Sequence, residues 1–408
     1  MEIRFSEKEQ AFYDEVDEFL QKELPSDWHE KPIVWPGDYS PSGYGSEENY
    51  RIALEFRAKV IEKGWLTISW PKEYGGKEYT NMEQAIFDER MSYYRVMAAD
   101  VLAAGIVAPM LLRIGTKEQQ KKWVPRIAAG EITMWLAYSE PNAGSDLGAI
   151  ETTALEDGDD YVINGQKVWS SGAHLTDYGW MIAKTDPNAR KHRGVSLFIV
   201  DNKTPGVTMR PIYNILGEHS FNEVFFDDVR VPKENLIGEK NAGFYHLMTA
   251  LDYERVTLVG IGGFRRIFEE LTEYVKTGKR NGEPLCKIPS VRSELARLST
   301  KIEILYMLFW RTAEMADRKL DPTVESSVLK VVSTELAQEI ADVAMDILGP
   351  YGHLTEKTEW TPLRALVSRG FLDAISATIG AGTSEIQRNI IAQRGLGLPR
   401  VKQGGKKS

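Results

Sequence analysis

Cysteine is almost absent from this chain of 408 residues, because Cys286 is the only one. A lone cysteine cannot form an internal disulfide, and it offers no thiolate pair for a structural zinc site. The six histidines are scattered, and none has His-x-x-x-His spacing, so we expect no metal site. The scarcity of cysteine is typical of a reducing compartment, and we expect a cytoplasmic location.

The chain also lacks a basic excess and long apolar runs. Its formal net charge is −9, so we expect no nucleic-acid partner. No apolar stretch approaches the roughly 18 residues of a transmembrane helix, and the N-terminal residues show no apolar signal region. A composition of 42% hydrophobic and 27% charged residues is that of a globular protein with a full-sized core.

The periodicity changes twice along the chain and predicts an α+β protein. Apolar residues recur at helical spacing up to about residue 130. At the start of this part, Ser6 and Glu9 form a predicted capping box. Short β-rich runs separated by turn residues then favour an antiparallel barrel or sandwich. We therefore expect a helical domain over 1–130, a β-domain over 131–240, a helical bundle over 241–400 and a tail over 401–408.

Individual elements follow from the same patterns. The predicted strands are Thr133–Tyr138, Tyr161–Trp169, Trp180–Ala183, Val195–Val200 and Val224–Val231. The predicted helices of the last domain cover 241–276, 289–319, 322–348 and 362–378, with a short one after Gly382. Gly260-Ile-Gly-Gly lies inside the first of these helices and follows no strand, so it favours close helix packing over a dinucleotide site.

One carboxylate interrupts an apolar helix face. Glu254 comes three residues after Leu251 and four before Leu258, on the side predicted to face the core. Desolvation there would raise its pKa toward neutrality, as a general base requires. A buried ion pair with an arginine of a neighbouring helix is the alternative.

The run Gly380-Ala-Gly-Thr-Ser-Glu-Ile-Gln-Arg388 leads small residues into a helix. Free backbone N–H groups at such a helix start suit a phosphate or a developing oxyanion. A tight turn between helices, capped by Ser384 with Gln387, explains the pattern equally well.

Hydroxyl groups and an indole follow two of the predicted strands. The loop Ala137–Asp146 carries hydroxyls and exposed amides, and Val168–Ser171 places Trp169 beside two serines. An aromatic surface next to short polar groups suits a flat heteroaromatic cofactor. The alternative is an interior tryptophan flanked by turn hydroxyls.

Taken together, these motifs resemble those of the acyl-CoA dehydrogenase family over about residues 1–400. The matching segments are Gly64-Trp65, Trp70–Gly76, Tyr138–Asp146, Asn164–Ser171, Phe225–Pro232, Asp252–Arg255 and Ala381–Arg388. The resemblance implies an N-terminal all-α domain, a middle antiparallel β-barrel and a C-terminal four-helix bundle. It also implies bound FAD, a homo-oligomer, usually a tetramer, and transfer of electrons to electron-transferring flavoprotein.

The resemblance further implies roles for single residues. Cofactor contacts are implied for Tyr138, Ser139, Ser145, Trp169, Ser171, Thr383 and Glu385. Arg280, Asp346 and Gly349 would reach the FAD of a neighbouring subunit, which implies an obligate dimer. Ser145, Asp252 and Arg255 would contact the acyl-CoA substrate.

The catalytic base distinguishes subgroups of this family. Many members carry a glutamate where this chain has Ala381, whose backbone N–H would still bind the thioester oxygen. In other members the base precedes an arginine on the first bundle helix, which here implies Glu254 before Arg255.

The expected reaction is oxidation of an acyl-CoA to its trans-2-enoyl-CoA, with a branched, cyclic, aryl or otherwise bulky acyl group. A same-fold acyl-CoA oxidase or flavin monooxygenase, or a non-catalytic CoA-ester-binding subunit, remains open as an alternative.

Overall fold

A computed structural model describes residues 4–36, 41–96, 102–190, 192–248 and 260–399. In chain order, the α-helices are α1 (Glu7–Glu23), α2 (Glu47–Glu62), α3 (Asn81–Tyr93), α4 (Ala108–Ile114), α5 (Lys117–Ala128), α6 (Ile261–Thr277), α7 (Pro289–Asp317), α8 (Thr323–Leu348), α9 (Leu366–Ala377) and α10 (Ser384–Ile390). The strands are β1 (Met134–Ala137), β2 (Thr153–Asp157), β3 (Asp160–Lys167), β4 (Tyr178–Lys184), β5 (Val195–Asp201), β6 (Val207–Tyr213), β7 (His219–Pro232), β8 (Leu236–Ile237), β9 (Lys279–Arg280) and β10 (Glu283–Pro284). A helical segment also covers 243–248. The α+β fold class, with a β-domain between two helical parts, is confirmed.

The central sheet places two strand ends side by side. Its hydrogen-bonded order is β6-β7-β3-β2-β4-β5-β8, with β1 paired to β4. Among these strands, five pairings are antiparallel as predicted, whereas β1 with β4 and β2 with β4 are parallel. Tyr138 directly follows β1, and Val168 directly follows β3.

Three hydrophobic cores hold the fold together. The first joins α1, α2 and α3 to the helices α6 to α9, with Trp65, Phe87 and Phe309 among its buried residues. The second packs α4 and α5 against one face of the sheet, and the third fills the other face. The N-terminal helices are therefore divided between the bundle and the sheet.

Helix starts follow their local sequence. Ser6 accepts a hydrogen bond from the N–H of Glu9, whose carboxylate accepts one from the Ser6 N–H, so the predicted capping box is confirmed. Among the helices that the structure describes, none combines the length and the hydropathy of a membrane-spanning segment.

Two helices predicted after the β-domain are wrong as continuous elements. The helix expected over 241–276 is interrupted at Gly260, which has φ +59° and caps α6. A left-handed residue cannot continue a right-handed helix, and glycine adopts that conformation without a steric penalty. The helix expected from 362 starts at Leu366, because residues 363–365 all have positive φ.

The glycines that begin α6 serve close packing, as predicted. The N–H of Gly262 donates to the Ser92 hydroxyl at 2.9 Å. A Cβ added at Gly262 would collide with the carbonyl oxygen of Glu89 and lie 2.8 Å from the Tyr93 Cβ. Only glycine allows α6 and α3 to approach this closely.

Gly262→Ala is therefore expected to destabilise the protein by roughly 1–3 kcal/mol, because the added methyl group forces α6 away from α3. Gly263→Ala is a matched control on the same helix turn, since its added Cβ would meet Pro36 Cγ at an ordinary 3.4 Å. Urea unfolding should show the first variant weakened and the second equal to the parent or more stable. Equal loss in both variants would contradict this account of the interface.

Candidate active site

Two segments of the β-domain lie against each other at the ends of β1 and β3. The N–H of Val168 donates to the Ser139 carbonyl at 2.9 Å. This hydrogen bond brings the predicted cofactor residues Tyr138 and Ser139 next to the turn that carries Trp169 and Ser171. β1 pairs with β4, and β3 pairs with β2 and β7, so the sheet fixes where both segments begin.

Trp169 has an unusual backbone and an exposed side chain. Its φ is +59°, and the side chain is 60% exposed, so the interior alternative for this tryptophan is wrong. Its ring meets Phe221 edge to face, with centroids 6.1 Å apart. A left-handed non-glycine residue costs about 1–2 kcal/mol. Such strain, combined with an exposed indole, is typical of a ligand-binding surface.

A buried ion pair lies behind the turn, and it was not predicted from the sequence. The Lys167 ammonium, which is 0% exposed, donates to Glu140 Oε1 at 2.8 Å and to the Tyr138 carbonyl at 3.1 Å. Glu140 also accepts hydrogen bonds from the N–H groups of Glu151 and Thr152. The pair therefore ties the segment after β1 to the end of β3.

Burial and charge act in opposite directions on this pair. Burial lowers the pKa of Lys167 to about 8, although Glu140 opposes the shift. Burial also acts to raise the pKa of the Glu140 carboxyl, but Lys167 and the donated hydrogen bonds hold it below its usual value. Both groups are therefore charged at pH 7. Strand alternation could have revealed Lys167, since it shares the inward face with Tyr161 and Ile163.

The Gly380–Arg388 motif forms a kinked entry into α10. Thr383 is the N-cap and accepts from the Ile386 N–H at 3.2 Å, so the cap at Ser384 in the alternative interpretation of this motif is wrong. Gln387 donates its amide N–H to the Ala381 carbonyl at 3.1 Å. Ala381 has φ +52°, and within the described residues its own N–H makes no hydrogen bond. That N–H is therefore available to a ligand.

An open cleft of about 310 Å³ lies beside this entry. It is lined by Glu335, Gln338, Thr378, Ile379, Thr383, Ser384, Glu385 and Arg388. The backbone N–H of Glu385 and the Thr383 hydroxyl lower the pKa of the Glu385 carboxyl, so it is ionised at neutral pH. An ionised carboxylate would repel a phosphate but can accept from a ribose hydroxyl.

Several buried polar atoms in these two motifs have no hydrogen-bond partner, and they indicate whether an elongated flavin nucleotide would fit there. Within the described part of the chain, Ser384 Oγ and Gln387 Oε1 beside α10 have no hydrogen-bond partner, and neither has Ser170 Oγ in the Trp169 turn. Such groups are rare unless a ligand or water completes them. The exposed indole and these polar groups fit a cofactor with a flat ring and a polar tail.

A third group of predicted residues meets at the end of α8. Arg280 donates to the carbonyl oxygens of Asp346 at 2.6 Å and Ile347 at 2.9 Å. Gly349 caps the same helix with φ +59°. Arg280, Asp346 and Gly349 therefore lie together, as expected for residues sharing one surface.

The remaining predicted residues are not brought into these groups. Ser145 is exposed in the loop after β1. Asp252, Glu254 and Arg255 lie outside the described residues. Across the described ranges, no hydrogen bond joins the Trp169 turn to the start of α10, and no cluster of three or more metal-binding side chains is found.

Comparison with known proteins identifies relatives along nearly the whole chain. Three family models match: "Acyl-CoA dehydrogenase, N-terminal domain" at residues 6–131, the middle domain at 136–229 and the C-terminal domain at 241–396. The acyl-CoA dehydrogenase FadE26 of Mycobacterium tuberculosis is 37% identical, over 88% of this chain and 90% of the relative.

Solved structures share the fold closely. The ChsE4-ChsE5 complex from Mycobacterium tuberculosis has a TM-score of 0.86 at 34% identity, covering 98% of this chain and 100% of the matched chain. A structure described as the Tcur3481-Tcur3483 steroid ACAD has a TM-score of 0.85 at 29% identity, with 98% and 100% coverage.

The Lys167–Glu140 pair gives a test of the site's foundation. Lys167→Met should destabilise the protein by roughly 3–5 kcal/mol, because it leaves a buried carboxylate without its counter-ion. The double variant Lys167→Met with Glu140→Gln removes both charges and should recover most of that loss. Urea unfolding measures both, and a double variant no more stable than Lys167→Met would contradict the pairing.

Proposed function

Because the chain belongs to the acyl-CoA dehydrogenase family, we propose that it catalyses α,β-dehydrogenation of an acyl-CoA thioester with FAD as its cofactor. The family consists of flavoprotein oxidoreductases that act on CH–CH donors. The observation that carries the proposal is the left-handed backbone at both Trp169 and Ala381, in the two motifs expected to hold flavin and thioester.

Ala381 is proposed to stabilise charge on the thioester oxygen. Removing a proton from the α-carbon places negative charge on that oxygen, and a positioned N–H donor lowers its energy. The left-handed backbone at Ala381 leaves its N–H without a partner in the described residues, while Gln387 fixes its carbonyl. The methyl side chain takes no part, so alanine can stand where other members carry a glutamate.

Glu254 is proposed as the base that takes the α-proton. Ala381, the other position at which family members carry the base, has no titratable group. Glu254 is followed by Arg255, as in the family's alternative arrangement. Two buried arginines at and just after α3, which packs against α6, already have carboxylate partners. Arg90 pairs with Asp17, and Arg95 pairs with Glu270 at 2.9 Å. Such pairings leave fewer arginines to serve Glu254 as an ion-pair partner.

The Trp169 turn is proposed to hold the flavin ring, with Tyr138, Ser139 and Ser171 along its edge. FAD held there would supply the acceptor for the β-hydride, and the electrons would leave to an electron-transferring flavoprotein. The chain's own part is to present a flat indole and short hydroxyls while keeping water from one face. Thr383 and Glu385 would then contact the phosphate and ribose end.

The acyl group is proposed to be bulky. Gly380 does not adopt positive φ, and an added Cβ would meet only the Ser376 carbonyl at 3.8 Å. Neither backbone conformation nor packing therefore requires glycine there. Gly380 and Ala381 leave space beside the proposed thioester site, consistent with the steroid description of one structural relative.

An oligomer is proposed to complete the cofactor site. The end of α8 brings together Arg280, Asp346 and Gly349. Within the described residues, no hydrogen bond connects this group to the Trp169 turn. A neighbouring subunit would bring this surface to the FAD. The partner is proposed to be a second copy of this chain, although the ChsE4-ChsE5 relative is named as a complex of two components.

Trp169→Ala should weaken FAD retention, because the variant lacks the aromatic surface on which the flavin ring packs. The matched control is Trp360→Ala, since Trp360 is similarly exposed at 66% and lies outside the proposed site. Flavin absorbance after gel filtration should fall only for Trp169→Ala. A native chain that holds no flavin after FAD reconstitution would contradict the proposed cofactor.

Glu254→Gln should lower the rate of flavin reduction by roughly a hundredfold or more, because a base is lost while side-chain size is preserved. Adding Ala381→Glu supplies a carboxylate at the family's other base position and should recover part of the rate. Stopped-flow absorbance with the best acyl-CoA measures both, with Glu273→Gln on α6 as an exposed control. Parental rates in Glu254→Gln would overturn the assignment.

A further inference from the structure

Asn222 on β7 holds both main-chain groups of Ser170. The Ser170 N–H donates to the Asn222 carbonyl at 3.1 Å, and Asn222 Nδ2 donates to the Ser170 carbonyl at 3.0 Å. Asn222 is only 1% exposed. Ser170 stands between Trp169 and Ser171, so Asn222 holds the centre of the turn, its main chain through the Ser170 N–H and its side chain through the Ser170 carbonyl.

Two stacked histidines hold the Asn222 amide in turn. His219 Nε2 lies 2.8 Å from Asn222 Oδ1, and His174 Nδ1 lies 3.1 Å from Asn222 Nδ2. The imidazole rings are stacked, with centroids 3.6 Å apart and an interplanar angle of 11°. We call this cluster of Asn222, His174 and His219 the amide clamp.

Hydrogen-bond chemistry fixes the protonation states of the amide clamp. The Ser170 carbonyl can only accept, so the Asn222 atom facing it must be the NH2 group. That group can only donate, so His174 Nδ1 must be an acceptor without a proton. Asn222 Oδ1 can only accept, so His219 Nε2 must carry a proton. The amide clamp therefore requires neutral His174.

The surroundings favour that neutral state. Burial and, to a smaller extent, the neighbouring His219 lower the pKa of His174. Tyr213 of β6 approaches His219 at 5.8 Å between ring centroids. The nearby Glu218 carboxylate is engaged by Arg369 of α9, with Nη2 to Oε2 at 3.2 Å. That carboxylate thus already has a cationic partner.

We propose that Asn222 is a positioning residue for the flavin-facing turn, and that neutral His174 keeps its amide in place. The proposal rests on the function proposed above, since it takes this turn to be the flavin surface. A proton on His174 Nδ1 would remove the acceptor for Asn222 Nδ2 and place a cation against His219. The amide would then rotate away from Ser170, and the turn would lose one of the contacts that offset its strain.

The sign of the pH dependence follows from the lowered pKa of His174. The folded protein favours the neutral ring, so the contribution of the amide clamp is complete above the ordinary histidine pKa of about 6.5. It is lost as the pH falls through the lowered value. Flavin should therefore dissociate faster from the holoprotein at acid pH.

The test measures FAD dissociation and visible circular dichroism of the purified holoprotein across this pH range. Asn222→Leu should release FAD roughly tenfold faster than the parent at neutral pH and change the dichroism, because it lacks the amide contacts. His174→Gln keeps an acceptor that does not titrate, and this variant should fold because His174 is only partly buried. It should retain FAD at neutral pH and lose the acid step. His246→Gln is the matched control, because burial also lowers the pKa of that histidine, and its acid step should persist.

Hydrogen exchange separates failure of this proposal from failure of the proposed function. Asn222→Leu should speed amide exchange at residues 168–172 whether or not flavin is bound. A parent chain that binds no flavin would refute the cofactor, while faster exchange would still support the amide clamp. Unchanged exchange and parental FAD release in Asn222→Leu would overturn the positioning role. If Asn222→Leu does not fold, His174→Gln decides, because an acid step that persists there overturns the proposal.

Discussion

The left-handed backbone of Trp169 is the constraint on which the proposed site depends. A tryptophan at φ +59° is unfavourable by itself, and it persists only where the surroundings leave no better arrangement. The residues before and after it supply that restraint. Lys167 is tied to Glu140 and Tyr138 on one side, and Ser170 is held by Asn222 on the other. The indole is thereby presented outward instead of turning into the core.

The helices are divided between two bodies with separate hydrophobic cores, and the proposed site would form between them. Helices α4 and α5 share a core with the sheet, whereas α1 to α3 share one with the bundle. The Trp169 turn thus belongs to the first body and the Ala381 entry to the second. Contacts such as Arg369 with Glu218 cross from α9 to the loop before β7. A substrate held by both bodies would lie where neither core needs to be disturbed.

Sequence patterns predicted the elements well where side-chain periodicity decides the structure. The capping box at Ser6, the five strands named in advance and the close packing at Gly262 all follow from local chemistry. The patterns failed to predict where two helices begin, after Gly260 and after residues 363–365. Positive φ angles set those starts, and periodicity carries no information about φ. They also missed Lys167 and Asn222, whose roles depend on partners 27 and 52 residues away in sequence. Lys167 interrupts the inward face of β3 as Glu254 interrupts a predicted apolar helix face, so the same signal is present in the sequence.

The most direct test of the account is an anaerobic titration of the purified holoprotein with acyl-CoA thioesters, including steroid-side-chain, aryl and straight-chain esters. The measured quantity is the visible absorbance of the bound flavin, with the CoA product analysed for a new α,β double bond. We expect rapid bleaching and formation of a trans-2-enoyl-CoA with at least one bulky ester, and weaker bleaching with short straight chains. A flavin that no acyl-CoA bleaches would contradict it.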